Sequence, residues 1–218
     1  MAPQQDLQAA PIVVPIRSLG PAHRERIAAH LLALEGHDRY LRFGYAASDD
    51  QVRRYAQGLD FVRDEIFGIY NRRLELIAMA HLAFSRTPQA SRCAEFGVSV
   101  AARARGRGYG SRLFERAVIH ARNEGVDLLF IHALSENTAM LKIARNAGAV
   151  LERSGGETEA HLRLPPATLD SRLGELVDEQ VALTDYRLKV QAKNFWDFLA
   201  SVQTLRDEVR EARHKSGS

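Results

Sequence analysis

The chain of 218 residues is 45% hydrophobic and 26% charged, the composition of an ordinary globular protein. Its net charge is only +3, which argues against the basic stripe or tail of a nucleic-acid-binding protein. No apolar run approaches the roughly 20 residues that a membrane helix needs, and a secretory signal is not expected. Cys93 is the single cysteine, so no internal disulfide can form and a cytoplasmic enzyme or binding domain is expected.

The first third of the chain predicts a leader, a short strand and two helices. Residues 1–11 are rich in Gln, Ala and Pro and predict a flexible leader, and Ile12–Ile16 predicts a short strand. A helix is expected over Pro21–Glu35, with Gly36 as its end. A capping-box pattern then predicts a second helix over Ser48–Leu59.

The next hundred residues alternate strand and helix patterns. The expected strands are Glu65–Tyr70, Leu74–Ser85, Cys93–Val100, Asp127–Leu134, Ala149–Arg153 and Glu159–Leu164. The expected helices are Gly108–Asn123 and Thr138–Ala147. Because Asp127–Leu134 is nearly all apolar, this strand is expected to be covered on both faces. The order of elements predicts an α/β domain over residues 12–165 with a mixed sheet.

Residues 166–218 differ in character from the domain that precedes them. After Pro165-Pro166, apolar residues from Val177 to Val209 follow heptad spacing, which predicts a long helical extension. The seam of such a helix needs a partner. We expect a dimerisation element that makes the protein a homodimer, and the alternative is a helix folded back over the sheet.

One segment carries recognisable chemistry. The strand Cys93–Val100 runs into Arg105-Gly106-Arg107-Gly108-Tyr109-Gly110 and then directly into a helix. Glycines let main-chain amides approach an anion closely, and a helix N-terminus adds free N–H groups and the positive end of a dipole. The segment is neither a Walker loop nor a dinucleotide fingerprint, and it predicts a phosphate-binding loop of another kind.

This segment resembles the R/Q-x-x-G-x-G/A signature of the Gcn5-related N-acetyltransferases (GNAT). A second block, formed by Asn137, Leu141, Ile143 and Gly148, is similar to the N-x-x-A-x-x-L-Y-x-x-x-G-F segment of that family. Two blocks in the right order are more specific than either alone, and the resemblance covers about residues 12–164. It implies a bacterial-type GNAT fold, with a mixed, mostly antiparallel sheet flanked by helices. The long C-terminal helical extension predicted from the heptad spacing follows this fold.

The resemblance implies acetyl-CoA as the donor. No metal is expected, because the sequence contains no clustered Cys and His ligands. Main-chain amides of the glycine-rich segment would hold the pyrophosphate, and the main chain of Val98 to Val100, in the preceding strand, would run beside pantetheine. An amide there would polarise the thioester carbonyl as negative charge develops on it. Asn137 would contact the pantetheine arm, cap a helix, or do both. The expected acetyl-CoA-binding residues are Val98, Val100, Arg105, Gly106, Arg107, Gly108, Tyr109, Gly110, Ser111 and Asn137.

Glu95 is the candidate general base for the acceptor amine. It is a carboxylate in an otherwise apolar strand beside the expected thioester, so desolvation should make it a stronger base. The alternative for Glu95 is an ion-pair partner for an arginine. His81 and His132 on neighbouring strands are further candidates, although a histidine in a strand is more often a hydrogen-bonded core residue.

The sequence departs from the family at the general acid. The usual tyrosine of the second block falls at Ala144, and Ser135 is a weak substitute. Water could supply the proton, or the chain could be a non-catalytic acyl-CoA-binding or regulatory module. Otherwise the resemblance implies direct attack of a primary amine on the thioester in a ternary complex.

The acceptor is expected to be a small molecule or a protein lysine or N-terminus. The segment Asp38–Phe43 resembles the R-Y-x-R-F segment of bacterial protein-lysine acetylating enzymes, although its aromatic residues could simply pack in the core. Glu35 and Asp38 could attract a cationic amine. Neither a nucleic acid nor a membrane is expected as a partner.

Overall fold

The computed structural model describes residues 14–85, 92–168, 172, 174–186 and 190. The strands are β1 (Arg17–Ser18), β2 (Glu65–Tyr70), β3 (Leu76–Phe84), β4 (Cys93–Val100), β5 (Leu128–Leu134), β6 (Val150–Ser154) and β7 (Glu157–Arg163). The helices are α1 (Arg24–Leu32), α2 (Gly36–Phe43), α3 (Asp49–Gln57), α4 (Tyr109–Asn123), α5 (Thr138–Asn146) and α6 (174–186). The predicted leader, residues 1–11, lies outside the described residues.

The seven strands form one sheet in the order β1-β2-β3-β4-β5-β7-β6. Only β4 and β5 run parallel, and every other neighbouring pair is antiparallel. This arrangement confirms the predicted mixed, mostly antiparallel sheet. No helix in the described part of the chain is long and apolar enough to cross a membrane.

Helices cover the two faces of the sheet with two separate cores. One core joins α4 and α5 to the central strands, where Phe96 meets Phe114 edge to face at a centroid distance of 5.0 Å. The other core packs α1 and α3 against β2 and β3, with Ile27 and Val52 fully buried. Because side chains alternate along a strand, Phe96 faces α4 while Gly97 and its odd-numbered neighbours in β4 face α1 and α2.

Two elements predicted in the first third have different bounds in the structure. Strand β1 lies at Arg17–Ser18, after the predicted Ile12–Ile16, of which residues 12 and 13 are outside the described residues. Val14 and Ile16 pack against the core but form no β-ladder with a neighbouring strand. Their apolar side chains therefore reflect core packing and not strand pairing. The predicted helix Pro21–Glu35 is a 3₁₀ turn followed by α1, which ends at Leu32.

Helix α2 was not predicted, because the sequence analysis assigns Gly36 to the end of the preceding helix. In the structure, Gly36 is the first residue of α2. Its stop signal is Gly44, which adopts φ +80° at the C-terminus, as glycine commonly does there. By contrast, the predicted capping box of α3 is present. Ser48 Oγ accepts a hydrogen bond from the Gln51 amide, and Gln51 Oε1 accepts one from the Ser48 amide.

Strand β5 is not covered on both faces as predicted. Leu129 and Ile131 are fully buried against α4 and α5, whereas His132 is exposed. The opposite face of β5 is open because α1 and α3 pack on β2 and β3. The strand is therefore buried on one face only, although its apolar sequence predicted burial on both.

Helix α6 folds back onto the domain. Its Glu175 forms an ion pair with the buried Arg116 of α4, at 3.1 Å, and accepts a hydrogen bond from His120 Nδ1 at 2.6 Å. Burial opposes ionisation of Glu175, but the hydrogen bonds from His120 and Asn123 outweigh it and lower the pKa of this carboxyl. For residues 174–186 the folded-back alternative is therefore the observed one. The rest of the predicted helix lies outside the described residues.

Candidate active site

A cleft opens where β4 and β5 separate. The two strands pair at three positions only, Cys93 with Leu128, Ala94 with Leu129 and Glu95 with Phe130. Beyond them β5 stays paired with β7 along its whole length, while β4 continues alone to Val100 on that side. The unpaired edge of β4 lines a cleft of about 980 Å³.

The glycine-rich loop forms one end of this cleft. Gly106 and Gly108 both have φ +73°, a conformation that side chains rarely adopt. Gly108 is the N-cap of α4 and has no side chain with which to cap the helix. The amides of the first turn of α4 are thus left for another acceptor. This is the geometry of an anion-binding helix N-terminus.

Nine of the ten predicted acetyl-CoA-binding residues line the cleft: Val98, Val100, Arg105, Gly106, Gly108, Tyr109, Gly110, Ser111 and Asn137. Arg107 is exposed and is not among the lining residues. The Arg105 side chain, expected to add charge to the phosphate site, is ion-paired with Asp38 of α2. That pairing also occupies one of the carboxylates expected to attract an amine.

Asn137 occupies a position that fits both of its expected roles. Its side-chain oxygen caps α5 by accepting a hydrogen bond from the Met140 amide at 3.1 Å. The residue also lines the cleft. The cap uses the carbonyl oxygen, so the amide nitrogen is the group that can donate toward a ligand.

Glu95 stands at the point where the strands part, but the expected desolvation is absent. Its side chain is 59% exposed because the face of the sheet on which it lies is open here. His132 Nδ1 lies 3.4 Å from Glu95 Oε1, and His132 Nε2 lies 3.5 Å from Glu159 Oε1. A carboxylate–imidazole–carboxylate cluster from β4, β5 and β7 therefore forms the second end of the cleft. It replaces the predicted arginine as the partner of Glu95.

His81 is a hydrogen-bonded structural residue. Its Nε2 donates to Asp64 Oδ2 at 3.1 Å, and its Nδ1 accepts from the Tyr55 hydroxyl at 2.8 Å. Burial lowers the pKa of His81, and the residue does not line the cleft. Of the two histidines proposed as alternative bases, only His132 is in place.

A second buried histidine supports the unpaired strand and was not singled out in the sequence. His30 is 5% exposed, donates from Nδ1 to the Leu76 carbonyl at 3.0 Å and accepts at Nε2 from the Ser99 hydroxyl at 2.9 Å. Burial lowers the pKa of His30 to about 4, so the imidazole is neutral at pH 7. It joins α1 to the part of β4 that has left β5.

The structure supplies no side chain for the missing general acid at its usual place. Ala144 is fully buried within α5. The Ser135 hydroxyl is 2.9 Å from Thr158 Oγ1 and is not among the cleft-lining groups. Cys93 lies at the paired start of β4 and does not line the cleft. Among the described residues, no group of three His, Cys, Asp or Glu side chains could hold a metal ion.

Comparisons with known proteins agree with this geometry. The model of the acetyltransferase (GNAT) family matches residues 29–149. The structure is similar to the GNAT domain of S. lividans PAT (24% identity, 68% of this chain and 89% of that chain covered, TM-score 0.58). It is also similar to an N-acetyltransferase from Staphylococcus aureus Mu50 (18%, 69% and 98%, 0.56). A third similar structure is yncA from Salmonella typhimurium with its cofactor acetyl-CoA (14%, 72% and 96%, 0.55).

Because these solved structures are less than 25% identical in sequence, their similarity shows the fold alone. No curated protein matches the chain. The family model covers more than half of the sequence, including the glycine-rich loop, the unpaired edge of β4 and α5. The chain belongs to the GNAT acetyltransferase family.

Proposed function

We propose that the protein is an acetyl-CoA-dependent N-acetyltransferase that transfers the acetyl group to a primary amine by direct attack in a ternary complex. The observation that carries this proposal is the separation of β4 from β5 after Glu95 and Phe130. It creates one continuous cleft with an anion-binding loop at one end and a carboxylate–imidazole cluster at the other. A thioester lying along β4 would thus have a phosphate site behind it and a proton acceptor ahead of it.

The donor half of the cleft fits acetyl-CoA through main-chain groups. The amides of the first turn of α4 and of residues 106–108 would hold the pyrophosphate, since the glycines leave them open to a ligand. The Arg105 amide already donates to the Ala102 carbonyl at 3.3 Å. The unpaired main chain of Val98 to Val100 would hydrogen-bond the pantetheine arm, with Asn137 opposite. When bound, acetyl-CoA supplies the acetyl group in activated form as a thioester.

The acceptor half supplies proton transfer. Glu95 would accept the proton released from the amine, directly or through a water, and His132 beside it would share or relay that proton. An amide of the β4 edge would donate to the thioester carbonyl oxygen as negative charge develops on it. The carbon–nitrogen bond forms, the carbon–sulfur bond breaks, and the departing thiolate takes a proton from water because residue 144 is alanine.

Two measurements test the function. Calorimetry should show binding of acetyl-CoA, and release of free thiol should show turnover with members of a panel of amines and lysine peptides. Binding with no turnover on any amine would support the non-catalytic acyl-CoA-binding module instead. Absence of acetyl-CoA binding would contradict both functions.

We also propose that the protein is a homodimer that uses the outer face of α6. Val177 and Val181 are four residues apart, on one side of the helix, and are 61% and 45% exposed. Light scattering should give twice the chain mass for the wild type and the chain mass for the double variant Val177→Glu, Val181→Glu. A wild-type protein that is monomeric at high concentration would rule the dimer out.

A further inference from the structure

Arg42 places a positive charge in the acceptor half of the cleft. It belongs to α2 and lines the cleft beside the odd-numbered side of β4. No carboxylate within the described part of the chain lies within ion-pair distance of its guanidinium, whereas Arg105 nearby is paired with Asp38. A half-buried guanidinium without a carboxylate is costly unless something else compensates it.

The guanidinium is held in one place by a chain of three hydrogen bonds. Arg42 Nη2 donates to the Tyr55 oxygen at 2.7 Å, and the Tyr55 hydroxyl donates to His81 Nδ1 at 2.8 Å. His81 Nε2 completes the chain by donating to Asp64 at 3.1 Å. The Arg42 guanidinium carbon also lies 5.3 Å from the ring centroids of both Phe43 and Tyr55. A side chain so fixed is prepared to bind a ligand with little loss of freedom.

Gly97 shows how close this charge comes to the proposed thioester. A Cβ atom at Gly97 would lie 2.9 Å from the Cζ and both Nη atoms of Arg42. The guanidinium therefore rests directly on the main chain of β4, one residue before the Val98–Val100 stretch. Any side chain at position 97 would force the guanidinium to move from this place.

The acceptor half thus has opposite charges at its two sides. Arg42 stands on the α2 side, and the carboxylates of Glu95 and Glu159 stand on the β5 and β7 side with His132 between them. An acceptor that carries only an ammonium group would match the carboxylates and leave Arg42 without an anionic partner. An acceptor with an ammonium and a carboxylate would match both.

We propose that Arg42 binds the carboxylate of the acceptor, so that the substrate is a small amino carboxylate such as an α-amino acid. The planar guanidinium offers two parallel N–H groups to a carboxylate. The ammonium end then points toward Glu95, which removes its proton. The inference rests on the proposed acetyltransferase function and adds the class of acceptor to it.

Matched acceptors test the inference. Each amino acid is compared with its amide and with the amine that lacks the carboxylate, by thiol release with acetyl-CoA. The wild type should favour the carboxylate member by roughly 100-fold in kcat/KM, the effect expected of a charged hydrogen-bonded contact. In Arg42→Gln this preference should vanish, because the KM of the carboxylate member rises toward that of the neutral member.

Further variants separate recognition from folding. Gly97→Ala should displace the guanidinium and lose the same preference, and Arg42→Lys should keep part of it. Arg153 also lines the cleft, from β6, and Arg153→Gln is the control that should leave the preference intact. Acetyl-CoA affinity should be the same in all four variants, which reports that each is folded.

Two results would overturn the inference without touching the acetyltransferase function. One is equal turnover of the matched acceptors by the wild type, and the other is efficient turnover of lysine peptides that Arg42→Gln does not alter. Should no amine be acetylated, the acetyltransferase function fails, and calorimetry of an amino acid with the protein–CoA complex still tests Arg42. Binding that is lost in Arg42→Gln supports the carboxylate site, and absence of binding to the wild type rejects it.

Discussion

The two halves of the cleft are built by different means. The donor half consists mainly of main-chain groups from one contiguous stretch, the end of β4, the glycine-rich loop and the start of α4. The acceptor half consists of side chains from four elements, among them Arg42, Glu95, His132 and Glu159. The first can be changed only by changing the backbone, whereas the second can be changed one side chain at a time. Under the proposed function, the same acetyl-CoA site could therefore be combined with different acceptor sites.

The largest effect is expected at the loop. Gly108→Asp should abolish acetyl-CoA binding in calorimetry, with a loss of at least roughly 1000-fold, because it puts a carboxylate where phosphates are to bind. Gly148→Asp is the matched control, since Gly148 has a similar φ of +82° but lies outside the cleft. Gly148→Asp should introduce the same backbone strain but leave the affinity for acetyl-CoA unchanged. Equal affinity losses in the two variants would assign the effect to strain.

The next largest effect is expected at Glu95, where a substitution should impair turnover without affecting acetyl-CoA binding. Glu95→Gln should lower kcat/KM by about 100-fold or more at neutral pH, the usual contribution of a general base, with acetyl-CoA affinity unchanged. Activity should partly recover at high pH, where more of the free amine is already deprotonated. Glu157→Gln, at another carboxylate of the cleft, is the control. If Glu95→Gln turns over like the wild type at every pH, Glu95 is not the general base. His132→Gln is then the variant that tests the alternative base.

A third effect concerns stability and pH. Because burial lowers the pKa of His30 to about 4 from its usual 6.5, the unfolded chain binds more protons at this residue between those values. Stability is thus full above about pH 6.5 and falls as the pH drops toward 4, by about 3 kcal/mol from this group. Denaturant unfolding should show this slope reduced in His30→Gln and retained in His37→Gln, a change at an exposed histidine. Identical slopes in all three proteins would show that His30 does not contribute.

The smallest effect tests the dual role of Asn137. Asn137→Ala should lower the free energy of unfolding by about 1 kcal/mol through loss of the α5 cap, whereas Asn137→Ser keeps a capping oxygen. If the side-chain amide also donates to pantetheine, both variants should bind acetyl-CoA several-fold more weakly. Wild-type affinity in Asn137→Ser would leave Asn137 as a cap alone.

The same contrast explains what could be predicted from the sequence. The glycine-rich loop was predictable because Gly106, Gly108 and the helix that follows are neighbours along the chain. The predicted β4 has the observed bounds, Cys93–Val100, and the Ser48 capping box is present. In each case the signal is local.

The acceptor half was less predictable because its geometry is set by distant contacts. The exposure of Glu95 depends on where α1 and α3 pack, which no pattern near residue 95 reveals. In the sequence, Arg42 stands out only within Asp38–Phe43, the segment that resembles bacterial protein-lysine acetylating enzymes. The pattern does not predict its helix, because Gly36 looks like the end of the preceding helix. The His30–Ser99 pair joins residues 69 positions apart, and it needs both the packing of α1 on β3 and the register of β3 and β4.

The contact between α6 and α4 joins the segment after Pro165-Pro166 to the domain before it. Arg116 is 5% exposed, and its ion-pair partner Glu175 comes from beyond Pro165-Pro166. A chain cut at those prolines keeps every residue of the cleft but loses this carboxylate, and breaking a buried pair costs about 3–5 kcal/mol. The prolines therefore mark a change of secondary structure and not a unit of folding. The helix that begins at the glycine-rich loop therefore depends on Glu175, a residue outside the part of the chain that the family model matches.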